Sequence, residues 1–553
     1  MTGIILNIVA FVVVLGLIIL LHELGHFFVA KKANVLVHEY SIGMGPTLYQ
    51  KRYKETNYSI RAILIGGYVS MAGESGAEEL PIKIGDTVGI NLDEAGLISQ
   101  IILNKKIASE FQAEITNLKL FEGEIEDFFL ELKVDNQIKN YKISEECTYV
   151  YKKKSQVQIT PKSRLFDTQA LWKKVLIIFA GPLMNFILAF LLFFIGYMIV
   201  GKPSENPIIN LVDGPSAGIL EVGDTLTEIN GVKIDKWSDI ATGTYKNIGY
   251  GIEIKYLSKD SNTQNSATIY PLYSVNILGF SGTANPSDLR PVVTTSYNKA
   301  LEAGLKAGDI VRSINGNRIY TWQELYDFSK NVEGGEIVLE INRAGTLHEL
   351  KYKVMSSTVY EGQGVSPMQI TIGIGRNYHF DFVYALKMGI VDIGNNVKQI
   401  FSTLAALFTP KSGVSANDLS GPIGIFNIVG NVRTQGFTAL ILFTAFLSIN
   451  IGLLNLLPIP ALDGGRIIFL LIEALVMSIR RRGVKKQLNL SNRRLKAMKR
   501  NMVKEGKIRK HENVIDVSAP KLKKIEAYIN LVFLMLLLAL MVYVSVFDVI
   551  RLF

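Results

Sequence analysis

The sequence holds six histidines in 553 residues, and two of them fall in Leu21-His22-Glu23-Leu24-Gly25-His26. This H-E-x-x-H spacing lies inside an apolar run from Ile4 to Ala30 that ends at Lys31-Lys32. If the run is helical, residues four apart share one face. Two imidazoles can then hold one zinc while the Glu23 carboxylate reaches a water on the same metal. The chemistry so arranged is hydrolysis. Ionisable groups are costly within an apolar span and face a cavity or a partner, so three of them in five residues mark a site rather than ordinary packing.

A second stretch can complete the set. Asn455-Leu456-Leu457-Pro458-Ile459-Pro460-Ala461-Leu462-Asp463-Gly464-Gly465 ends another apolar run, with two prolines to break a helix and glycines to permit unusual backbone. A catalytic zinc commonly has three protein ligands and one open position, so Asp463 can join His22 and His26. Without the first motif, Asp463 would read as a helix cap near a membrane interface. Gly66-Gly67-Tyr68-Val69 lies in an alternating segment, Val37–Glu74, that suggests strands in hairpins. A strand edge there could receive an extended substrate, or it could be an ordinary surface hairpin. Asn185, in Gly181-Pro182-Leu183-Met184-Asn185, is a polar amide within an apolar helix. It must point into the helix bundle, either to pack or to contact substrate.

The elements that position these residues follow from hydropathy and charge. Hydrophobic residues make up 48% of the chain, and four segments can span or nearly span a bilayer: Ile4–Ala30, Val175–Val200, about Thr438–Leu457 and about Tyr528–Phe547. The first has no basic leader and no small-residue cleavage site, so it reads as an anchor rather than a signal peptide. The net charge of +10 is uneven. Lys31-Lys32, Lys173-Lys174 and the strongly basic 480–524 connection are placed in the cytoplasm by the positive-inside rule, which puts both termini and the stretch from about Lys202 to Phe437 outside. Attraction to anionic lipid is the simpler role for the basic connection, and nucleic acid is not expected as a partner. Cys147 is the only cysteine, so no disulfide framework exists.

The fold class expected is a polytopic α-helical membrane protein with four transmembrane helices, a membrane-associated β-hairpin element and two extracytoplasmic PDZ-like α/β domains. In order these are a first span with H-E-x-x-H (1–30), the hairpin region (31–74), a β-rich cytoplasmic insertion (75–165) and a second span (171–200). Two repeats follow (205–290 and 291–375), then an amphipathic outer-surface linker (376–437). A third span carrying the proline motif (438–479), the basic loop (480–524) and a fourth span (525–549) complete the chain. The repeats rest on Gly223-Asp224 through Ile229-Asn230-Gly231 and Gly308-Asp309 through Ile314-Asn315-Gly316, with Trp237 and Trp322 at the same offset. Both copies resemble the strand-and-turn core of PDZ domains. That resemblance implies a groove able to take a peptide edge, or a module that acts only by its bulk.

Taken in order, these motifs resemble the site-2 protease family of intramembrane zinc metalloproteases, most closely its bacterial regulator of sigma-E protease branch. The resemblance implies one zinc per chain on His22, His26 and Asp463, with Glu23 as general base. It implies that Gly66, Gly67, Tyr68 and Val69 pair with unwound substrate and that Asn455 helps hold it. It also implies a plasma-membrane enzyme that cleaves single-span substrates, of the anti-sigma-factor or remnant-signal-peptide kind, after a site-1 protease has trimmed them. Three features depart from the family pattern: the length of 75–165, the length and charge of 480–524, and Leu64 where a proline is common. A membrane-anchored PDZ scaffold with an idle metal site is the first rival, although a structural zinc needs no adjacent base such as Glu23. A transporter is the second, and no inverted repeat supports it.

Overall fold

The computed structural model describes residues 2–74, 82–104, 106–120, 127–134, 137–152, 155–285, 288–414, 419–479 and 520–550. Most of the basic 480–524 connection lies outside these. Among the described residues, four helices are long and apolar enough to cross a membrane: Gly3–Lys32, Leu171–Val200, Phe437–Leu456 and Ile525–Ile550. The chain separates into two compact units, one built mainly on residues 1–188 and 447–543 and the other mainly on 189–425.

In the first unit, helix α1 (Thr2–Lys32) is apolar around its circumference apart from Thr2, Asn7, its His22–His26 segment and its lysine end. After it come two long strands, β1 (Val37–Tyr53) and β2 (Thr56–Met71). They form more than the simple hairpin expected. Glu39–Ile42 lies between Gly67–Ser70 on one side and Asn57–Ile60 on the other, while Tyr49–Arg52 pairs with the far side of Asn57–Ile60. Two strands thus make a sheet four ribbons wide. The bends that allow it occur at Gly43 (φ 87°), Gly45 (φ 82°) and Gly66 (φ 103°), backbone that L side chains rarely adopt. The side chains of Tyr40, Val69 and Met71 turn into a core with Ala30, Phe166 and Ile177.

Residues 87–158 form a six-stranded sheet in which Ile98–Ile102 pairs both with Thr87–Leu92 and, in parallel, with the Gln137–Lys152 strand. The second pairing closes the sheet on itself and removes the free edge of Ile98–Ile102. Its interior is filled by Ile90, Ile98, Ile101, Ile115, Phe128, Leu130 and Cys147. Burial pushes the Cys147 thiol up to about 12, so it behaves as a small apolar side chain.

Helix α2 (Leu171–Val200) contains Pro182. The segment expected as one third span, 438–479, is two helices: Phe437–Leu456, then a second that is helical over 463–479. Pro458 and Pro460 occupy the break. Ala461 there has φ 72° and donates its N–H to Asn530 Oδ1 of the last apolar helix at 3.0 Å.

The second unit contains both repeats, and one expected boundary is corrected. The first copy has a four-stranded sheet within residues 225–269. Leu272–Val275 and Phe280–Asn285 belong instead to the eight-stranded sheet of the second copy, so the boundary at 290/291 falls just inside the second strand of a β-pair, Phe280–Asn285 with Asp288–Ser296. The Gly-Asp and Asn-Gly repeat marks one strand and its turn in each copy. The flanking strands carry no repeated residues, so their ownership is set by packing. Leu211–Val212 likewise pairs far along the chain with Ile374–Gly375.

Candidate metal centre

Helix α1 places His22 and His26 one turn apart, both buried. Gly25 lets α1 meet α2 backbone to backbone, since a Cβ there would lie 2.3 Å from the Ala180 carbonyl oxygen. Gly181 completes the fit from the other helix. A Cβ at that position would lie 2.2 Å from His26 Nε2 and 2.9 Å from His22 Cε1, so the space occupied by the two rings exists only because residue 181 has no side chain.

Asp463 opens the helix that follows the proline break, and its Oδ2 lies 3.1 Å from His22 Nε2 and 3.5 Å from His26 Nε2. The two Nε2 atoms are 3.2 Å apart. Among the described residues these three form the cluster able to hold a metal ion, with their ligand atoms all within 4.8 Å of one another. Ligands about 2.0–2.1 Å from a tetrahedral zinc stand ~3.3 Å from one another. The donor set also fits. His26 Nδ1 lies 2.8 Å from the Ile177 carbonyl oxygen, which only accepts, so Nδ1 carries a proton and in the neutral ring that binds metal the Nε2 lone pair faces Asp463. A lone pair and a carboxylate that face each other without a proton between them are the partners of a cation.

Glu23 follows His22 directly, and the Gly-Gly edge of β2 passes beside it. A Cβ at Gly67 would lie 3.1 Å from Glu23 Cγ and 2.9 Å from the Ser41 carbonyl oxygen. The Gly67–Ser70 ribbon pairs with Ile42–Glu39 on one side, and among the described residues no other strand pairs with its outer edge. Tyr68 commits its hydroxyl to Glu39 Oε2 at 2.8 Å, and Val69 is buried in the core, so the backbone of this ribbon is what remains available for pairing. Asn455 sits half-buried on the last turn of Phe437–Leu456.

Asn185, expected either to pack or to contact substrate, is fully buried, and its Nδ2 lies 3.3 Å from His22 Nδ1 on the side of the ring away from Asp463. Three further contributors were not legible in the sequence. Ile177 acts through its backbone oxygen, Asn530 holds the strained turn before Asp463, and Arg466 forms an ion pair with Glu74 that ties the end of β2 to the helix bearing Asp463. None of these carries a local signal, because each works through a contact made across the fold.

The model of peptidase family M50 matches residues 10–492. Among curated relatives, the regulator of sigma-W protease RasP of Bacillus subtilis is 28% identical over 480 residues, covering 85% of this chain and 90% of that protein. Zinc metalloprotease RasP of Geobacillus kaustophilus is 28% identical over 473 residues, covering 85% and 89%. That of Shouchella clausii is 29% identical over 473 residues, covering 85% and 90%. The chain therefore belongs to peptidase family M50, the site-2 protease family, and is a zinc metalloprotease of the membrane type.

Proposed function

We propose that this enzyme cuts a peptide bond within the transmembrane segment of a single-span substrate whose outer domain another protease has already trimmed. The observation that carries the reading is the convergence of His22, His26 and Asp463 beside Glu23, with both histidines inside an apolar helix long enough to cross a membrane. The zinc ligands are His22 Nε2, His26 Nε2 and a carboxylate oxygen of Asp463, one ion per chain. What the metal supplies when bound is Lewis acidity, which acidifies water and polarises a peptide carbonyl. Glu23 takes the proton from the attacking water on its carboxylate and returns it to the leaving amine nitrogen.

A helical substrate resists cleavage because its carbonyls are already hydrogen-bonded, so it must unwind locally. The free edge of Gly67–Ser70, running beside Glu23, supports its capture as an added strand that replaces the lost bonds. Gly66 provides the bend into this ribbon, and Asn455 steadies the substrate strand near the metal. The two repeats are PDZ-like modules that screen the size of the substrate's outer part. The basic connections support an active site toward the cytoplasm of a bacterial plasma membrane, with the modules and both termini outside. Because the Bacillus subtilis relative is named a regulator of sigma-W, an anti-sigma factor is the favoured substrate over a remnant signal peptide.

The test is zinc content together with cleavage of a generic single-span substrate in liposomes, comparing the intact chain with Glu23→Gln. About one zinc in each and cleavage only by the intact chain is expected. Equal cleavage by both would remove Glu23 from the mechanism, and absence of zinc from both would remove the ligand set.

A further inference from the structure

We propose that Asn185 is a positioning residue for the metal ligand His22, fixing the imidazole tautomer whose Nε2 lone pair faces Asp463 and His26. The inference rests on the zinc reading above and extends it to the group behind the ligand. A neutral imidazole has one N–H and one lone pair, so a ring that ligates through Nε2 must carry its proton on Nδ1 and needs an acceptor there. For His26 that acceptor is the Ile177 carbonyl oxygen at 2.8 Å. For His22 the group facing Nδ1 is the side-chain amide of Asn185 at 3.3 Å.

An amide offers a donor at one end and an acceptor at the other, and the two ends are nearly the same shape. With Nδ2 toward His22, the Asn185 Oδ1 is buried without a hydrogen-bond partner. A half-turn about Cβ–Cγ brings that oxygen to His22 Nδ1, where it accepts the N–H that the ligating tautomer presents. The amide can rotate but cannot leave. Asn185 is fully buried, its backbone oxygen accepts from Ser448 Oγ at 2.8 Å, and a Cβ on Gly452 would lie 3.0 Å from the Asn185 Cβ. The two ligating rings are thus backed by one fixed acceptor, a helix carbonyl, and one that must turn to serve. Carboxylate or carbonyl groups behind a ligating histidine typically change metal affinity 10- to 100-fold when removed.

Zinc affinity of the full chain in detergent, measured by chelator competition, tests this with two variants. Asn185→Leu keeps the approximate volume but removes the acceptor, and a loss of about 10- to 100-fold is expected. Asn185→Asp retains an acceptor at either end and should stay within about threefold of the intact chain. The cobalt-substituted protein should show a shifted ligand-field spectrum in Asn185→Leu only. If Asn185→Leu binds zinc as the intact chain does and only its KM for substrate rises, Asn185 is a substrate contact and the inference is overturned. If both variants lose affinity equally, the residue acts by packing and the inference is likewise overturned. Should Asn185→Leu not yield folded protein, Asn185→Asp decides alone: retained affinity supports the acceptor role and a tenfold loss ends it. An intact chain that binds no zinc would sink the zinc reading itself, a result distinct from any of these.

Discussion

Asp309 in the second repeat and Asp463 in the membrane unit are both shielded carboxylates, but their neighbours are of opposite kinds. Asp309 is fully buried and receives two guanidinium N–H donors from Arg343, each at 2.7 Å, and the backbone N–H of Lys306 at 2.8 Å. Asp463 directs one oxygen at two imidazole nitrogens, 3.1 and 3.5 Å away. The first carboxylate is neutralised by the protein and contributes to the stability of its module. On the proposed reading the second is completed by zinc, so its burial serves chemistry and not rigidity. Burial of a charge therefore says little about its role until the partners are named.

The comparison breaks most sharply at the metal. Asp463→Asn should reduce cleavage by about 10³-fold or more, since Lewis-acid stabilisation is worth several kcal/mol, while the melting temperature in detergent stays close to that of the intact chain. Gly181→Ala should come next. Its methyl would occupy the space of the two rings, and zinc affinity should fall by about 100-fold. Gly16→Ala in α1, where nothing lies within 4 Å of the new methyl, should leave zinc affinity unchanged.

Asp309→Asn should do the reverse of Asp463→Asn. Hydrogen bonds to charged groups are worth about 1.5–3 kcal/mol, so the second module should open more readily by hydrogen exchange while zinc content holds at one per chain. Its pH dependence follows with a definite sign. Burial works against the Asp309 charge, but Arg343 and the Lys306 N–H outweigh it and hold the carboxyl below the ordinary range. The stabilisation is therefore complete above the unfolded value of about 3.9 and is lost as pH falls below it. Asp309→Asn should flatten that acid-side dependence. The smallest loss of stability is expected from Asp224→Asn in the first copy. Asp224 accepts only backbone N–H groups there, from Glu221 at 2.9 Å and Lys259 at 3.0 Å, and the amide keeps one acceptor, so about 1 kcal/mol is expected.

What was legible in the sequence was whatever is encoded by short-range spacing. His22 and His26 share a helix face because they are four apart, and the Pro458–Pro460 stretch announces a break before Asp463. The repeats were visible because the Asn-Gly turn needs positive φ in both copies, at Asn230 (φ 48°) and Asn315 (φ 50°). The exchange of Leu272–Asn285 into the second sheet was not visible, since a strand's sequence does not name its neighbour. The four-ribbon form of β1 and β2 was hidden for the same reason: nothing in the sequence says which ribbons the bends at Gly43, Gly45 and Gly66 bring together. Asn185 was recognised as a buried amide, but its direction toward His22 depends on how α1 and α2 lie against each other. Gly25 and Gly181 set that packing, and a motif's spacing carries no sign of such a steric purpose.

The ligand set has a consequence in time. His22 and Asp463 are 441 residues apart in the chain. At a synthesis rate of about 5–20 residues per second, roughly 20 to 90 s pass between emergence of the first ligand and the last. During that interval Glu23 stands beside two of the three proposed ligands. On the zinc reading proposed above, the newly made helix therefore lies in the membrane before it can hydrolyse anything, and emergence of Asp463 is the event that arms it.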